Sequence, residues 1–92
     1  MTRTILIVED EKEIRDLLVH YLRNEGFRPI VAPDGEIGLA KARAEKPDLI
    51  LLDILLPKMD GLELLRKIRS DREIAHTPVV MLTAKGDETD RI

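Results

Sequence analysis

An α/β fold is predicted, with a parallel sheet flanked by helices. Short apolar runs, Ile5-Leu6-Ile7-Val8, Leu49-Ile50-Leu51-Leu52 and Val79-Val80-Met81-Leu82, lack the alternation of a strand with one wet face, so they read as strands buried on both sides. Segments of helical period lie between them, and strands alternating with helices at this spacing imply right-handed crossovers and a parallel sheet. Two of the runs end in acids, Glu9-Asp10 and Asp53. In one parallel sheet those carboxylates meet at the carboxyl edge, where open α/β sheets hold their ligands.

Thr4 to Val8 is predicted as the first strand. From Glu11 a helix follows, with Ile14, Leu17, Leu18, Tyr21 and Leu22 at the spacing of one apolar face. Tyr21 and Phe27 are expected to pack in the core. Gly26 is placed to close the helix as its left-handed terminal residue. Arg28 to Ala32 reads as the second strand, and Asp34, after Pro33, as the N-cap of a helix over Gly35 to Glu45. Ile37, Ala40 and Ala44 are its expected inner face, and Pro47 stops it.

Leu49 to Asp53 is the third strand and Ile54 to Asp60 a loop. A helix over Gly61 to Ser70 turns Leu62, Leu65 and Ile68 inward, a polar connection runs from Asp71 to Thr77, and Val79 to Thr83 forms the fourth strand. Gly86 to Ile92 reads as the first turns of another helix, capped by Asp87.

Composition narrows the function. An apolar fraction of 43% with 36% charged residues suits a packed globular chain, and 92 residues suffice for one small domain. A net charge of −3 supplies no basic field for nucleic acid. The absence of cysteine excludes disulfides and thiolate metal sites. No apolar run approaches the roughly 20 residues of a membrane span, no signal peptide is evident, and a cytoplasmic location is expected.

Glu9, Asp10 and Asp53 suit Mg2+, which takes oxygen ligands, keeps several waters and needs only one or two carboxylates with a backbone carbonyl. Their mutual repulsion becomes attraction once a cation sits among them, and a carboxylate is also a nucleophile toward phosphorus. Strand-end acids are equally the furniture of solvated loops, but two such strand ends together favour a site. Thr83, ending the fourth run, adds a hydroxyl that can donate to a phosphate oxygen. His20 and His76 read as solvated surface residues.

The blocks Ile7-Val8-Glu9-Asp10-Glu11, Pro47 through Gly61 and Pro78 through Lys85 make the chain resemble the receiver domain of two-component response regulators, most like the OmpR/PhoB type. The resemblance implies a flavodoxin-like (CheY-like) sheet of strand order 2-1-3-4 and a phosphoacceptor role for Asp53. It implies Mg2+ bound by Asp10 and Asp53, by Glu9 mainly through water, and by the main-chain carbonyl of Leu55. Thr83 becomes the switch hydroxyl and Ala84 the small residue that leaves the acceptor accessible. Pro57 and Gly61 are structural. The implied partner is a sensor histidine kinase, met by Arg15, Val19 and Arg23 or by Lys58-Met59-Asp60, although a solvated helix face or loop explains those residues as well.

Measured against that family, residues 1–92 are expected to form an incomplete receiver, lacking a fifth strand, a fifth helix and the lysine after that strand. Self-association through the bare sheet edge or uncovered face, and impaired phosphorylation, are the expected consequences. The chain is expected not to be an enzyme. A haloacid-dehalogenase-like phosphotransferase also uses a strand-end Asp, but that class carries a second Asp two residues later, where this chain has Leu55. A structural fragment with a vestigial acidic site is the other alternative.

Overall fold

Residues 2–53, 56 and 59–82 are described by a computed structural model of the chain. β1 (Thr4–Val8) is buried from Ile5 onward, because the sheet covers both its edges and helices cover both its faces. β2 (Arg28–Ala32), β3 (Leu49–Asp53) and β4 (Val79–Leu82) join it in one parallel sheet of order β2-β1-β3-β4, the order the resemblance implied. Ile5 stands opposite Pro29 on one side and Leu49 on the other.

α1 (Lys12–Asn24), α2 (Gly35–Glu45) and α3 (Gly61–Arg69) fill the connections. Asp34 caps α2 as expected, accepting from Ile37 N–H at 2.9 Å. Asp60 caps α3 in the same way through Glu63 N–H at 2.9 Å, so part of the Lys58-Met59-Asp60 segment is committed to starting a helix. Gly26 takes φ +90° after α1. The end of α2 is made one residue before Pro47, by Lys46 in the left-handed conformation at φ 45°.

The main core lies on the α2–α3 side, where Leu6, Val8, Ile50 and Leu52 meet Ala42, Leu56, Leu64, Ile68 and Ile74. Here three expectations change. α2 turns Gly35, Gly38 and Ala42 inward, leaving Ile37, Ala40 and Ala44 exposed. The reason is closeness: a Cβ on Gly38 would lie 2.9 Å from Val8 Cγ2, so only the small-residue face lets the helix sit against β1. α3 buries Gly61, Leu64 and Ile68, while Leu65 packs partly against the core and Leu62 stays 54% exposed. The connection after α3 is not wholly polar, because Ile74, 1% exposed, plugs the core.

That connection is also tied down by charge. Arg43 Nε donates to Asp71 Oδ2 at 2.6 Å, Lys46 pairs with Glu73 at 3.1 Å, and Arg69 Nη1 donates to the carbonyls of Ala75 and Thr77.

By strand alternation Ile5 and Ile7 point to the opposite side, where a right-handed crossover places α1. No residue of α1 is buried. Ile14, Leu18 and Leu22 are half-buried, whereas Leu17 and Tyr21 are 52% and 58% exposed, since they lie on the flank of the helix turned away from the sheet. Tyr21 therefore does not pack in the core; it meets His20 edge-on at 5.8 Å. Phe27 is half-buried.

Candidate functional site

Register decides what meets at the carboxyl edge. Val8 stands opposite Leu52, so the next residues, Glu9 and Asp53, leave adjacent strands side by side. Glu9 N–H donates to the carbonyl of Ala32 at 3.0 Å, which extends the sheet by one rung and holds the Glu9 backbone to β2. Asp10 follows on the turn into α1. One carboxylate oxygen from each of Glu9, Asp10 and Asp53 lies within 4.8 Å of the other two.

Burial divides the three. Glu9 and Asp53 are each 1% exposed, where β1 and β3 end, while Asp10 is exposed to solvent. Glu9 Oε2 accepts Glu11 N–H at 3.0 Å, and its Oε1 is buried with no hydrogen-bond partner among the described residues. Burial, the largest cause, pushes the Glu9 carboxyl up to about 7; the Glu11 amide opposes it, and the neighbouring carboxylates of Asp53 and Asp10 reinforce it.

Such a cluster is costly as it stands. An acceptor without a partner in a buried place costs on the order of 1–3 kcal/mol, and adjacent carboxylates repel. A proton on Glu9 relieves both, and so does a hard divalent cation. The donors are all oxygen, one of them partnerless and buried and one facing water, which suits a cation that keeps part of its hydration shell. A carboxylate in such a place is chemically able to act as a nucleophile toward phosphorus, with a nearby cation screening its charge.

Leu55, Thr83 and Ala84 lie outside the described residues, as do Pro57, Lys58 and Lys85. His20 and His76 are exposed and remote from the acids in role; His20 pairs with Asn24 at 3.2 Å. One neighbour of the cluster had no signal in the sequence. Arg15 Nη1 donates to the carbonyls of Glu9 and Asp10, at 3.0 Å each, and an arginine five residues past an acid on a charged helix looks like any solvated residue.

Among known proteins, residues 5–92 match the family described as response regulator receiver domain. The alkaline phosphatase synthesis transcriptional regulatory protein PhoP of Bacillus subtilis (strain 168) is 46% identical over 92 residues, all of this chain and 38% of that protein. The chain thus spans under half the length of this curated relative. Among solved structures, the N-terminal domain of a response regulator receiver protein from Methanoculleus marisnigri JR1 superposes with a TM-score of 0.88 at 46% identity, covering 92% of this chain and 69% of that one. The chemotaxis protein CheY4 of Vibrio cholerae does so with a TM-score of 0.88 at 32% identity, over 95% and 72%.

Proposed function

The chain belongs to the response regulator receiver domain family, and on that premise we propose that it is a phosphoacceptor module of two-component signalling. Asp53 takes the phosphoryl group from a phosphohistidine of a sensor histidine kinase, with Mg2+ held by Glu9, Asp10 and Asp53. The observation that carries this reading is the convergence of the three carboxylates within 4.8 Å at the ends of β1 and β3.

In the transfer, an Asp53 carboxylate oxygen forms a bond to phosphorus as the donor's N–P bond breaks, and the electron pair stays on the departing imidazole nitrogen, which a solvent proton neutralises. Mg2+ supplies screening of the charge that accumulates on the phosphoryl oxygens. The residues of the chain do the rest by position. β3 presents Asp53 at its last residue, its burial limits the access of water, and Glu9 and Asp10 fix where a cation sits. The product is a domain with about −1.5 to −2 added charge at one rim, which is a signal and not a released metabolite.

The carbonyl of Leu55 as a further ligand, Thr83 as the switch hydroxyl and Ala84 beside it rest on the motif that carries the family resemblance. The same reading makes the chain a signalling module without turnover of its own, at work in the cytoplasm. No described helix is long and apolar enough to cross a membrane.

Incubation with Mg2+ and acetyl phosphate, followed by intact-mass measurement, tests the reading. One phosphoryl group is expected, and none when EDTA is present. Repeated turnover of a phosphomonoester without an adduct would instead place the chain among phosphotransferases, and an unmodified chain would leave only the structural-fragment reading.

Self-association is a second element of the proposal, favoured by a specific surface. Leu17, Tyr21 and Val80 are 52%, 58% and 45% exposed. Val80 points to the α1 side, since Val79 and Met81 pack into the opposite core. Among the described residues β4 pairs with β3, and a strand edge without a partner is where a strand of another copy can add. Light scattering at micromolar concentration should show a species larger than the 10.5 kDa chain; a sharply melting monomer contradicts this element alone.

A further inference from the structure

We propose that Arg15 is a positioning residue of the cation site, setting the geometry of the acidic pair by holding its backbone; this rests on the Mg2+ reading above. Glu9 and Asp10 sit where the chain leaves β1 and turns into α1. The Glu11 side chain makes no cap hydrogen bond at the start of α1, so the N-cap residue does not itself lock the turn. Arg15 supplies a lock. Its half-buried side chain reaches back along α1, and Nη1 donates to Glu9 O and Asp10 O at 3.0 Å each.

Hydrogen bonds from a charged donor are about twice as strong as neutral ones, and here both fall on consecutive carbonyls whose side chains belong to the cluster. The consequence differs for the two acids. Glu9 is also held by its amide bond to Ala32 and by the Glu11 N–H on its carboxylate. Asp10 is exposed, so packing does not fix it, and the orientation of its carboxylate follows its backbone. Releasing Asp10 O frees the outer ligand of the site, and a cation must then order that ligand as it binds.

Mg2+ titration of the 92-residue chain by calorimetry, with thermal melts in EDTA and phosphorylation rates across Mg2+ concentrations, tests the role. Arg15→Ala should weaken Mg2+ binding by about three- to tenfold, as loss of bonds to a charged donor allows, while the phosphorylation rate recovers at saturating Mg2+. Arg15→Lys, which keeps its donors on one charged nitrogen, should regain part of the affinity. A role confined to folding would lower the melting temperature in EDTA and leave the affinity of the folded chain unchanged.

Equal Mg2+ affinity in wild type and Arg15→Ala overturns the positioning role and leaves the phosphoacceptor reading standing; so does an Arg15→Lys chain that binds no more tightly than Arg15→Ala. If Arg15→Ala does not fold at the assay temperature, Arg15→Lys against Arg15→Gln carries the comparison by the same criterion. A wild-type chain that binds no Mg2+ overturns both.

Discussion

Asp53→Asn is expected to abolish phosphoryl uptake and, without divalent cation, to make the chain more stable than wild type. The substitution keeps shape and removes charge. An amide is no nucleophile toward phosphorus, so the intact-mass gain should vanish completely. Buried beside Glu9, the Asp53 carboxylate is one of the causes that raise the Glu9 carboxyl, and removing it relieves that repulsion by about 1–2 kcal/mol. Mg2+ affinity should fall about tenfold or more with one ligand charge gone. The stabilisation of wild type by Mg2+, about 2.7 kcal/mol at a hundred times the dissociation constant, should shrink with it. Urea melts with EDTA and with Mg2+ check both directions. Phosphorylation that survives in Asp53→Asn would place the acceptor elsewhere, and a variant less stable than wild type in EDTA would show that the Asp53 carboxylate is held more strongly than it is repelled.

The second large effect is on pH. Native Glu9 keeps its proton up to about pH 7, whereas the ordinary value is 4.5. Between those values the folded chain binds more protons than the unfolded one. Metal-free stability therefore falls as pH rises from about 4.5 through about 7, by on the order of 3 kcal/mol in all. Asp71, held below its ordinary 3.8 first by a hydrogen bond from Arg43, acts in the opposite sense and only at lower pH. A bound cation needs the ionised carboxylate, so apparent Mg2+ affinity should drop about tenfold for each pH unit below 7 and level off above it. Melts in EDTA and Mg2+ titrations from pH 5 to pH 8 measure the two slopes, and Glu9→Gln should flatten both. Flat profiles in wild type would mean that the Glu9 carboxyl is ionised throughout.

Much of the frame is legible along the chain, because its signals are local. β1, β2 and β3 begin and end where their apolar runs and flanking turn residues predict, and Asp34 caps α2 through its own side chain three residues back from Ile37. Helix faces were less legible. Counting apolar side chains favours Ile37, Ala40 and Ala44 in α2, but close approach to Val8 selects Gly38 and Ala42 instead, and steric room at a neighbour is not written in the helix's own sequence. The fate of Tyr21, expected in the core and found exposed, fails for the same reason: an apolar stripe says a face is suited to burial, not that another element covers that part of it.

For the candidate site, sequence alone determined the chemical identity of the acids and their places at strand ends, since both follow from residue type and the period of short strands. Only tertiary structure decided that their oxygens come within 4.8 Å, that Glu9 loses its water and holds its proton to about pH 7, and that Arg15 grips the backbone of the acidic pair. Each of these depends on the register of β1 against β3 and on what packs around them. Electrostatic energy depends on distance and burial, which are properties of the folded chain and not of the order of its residues.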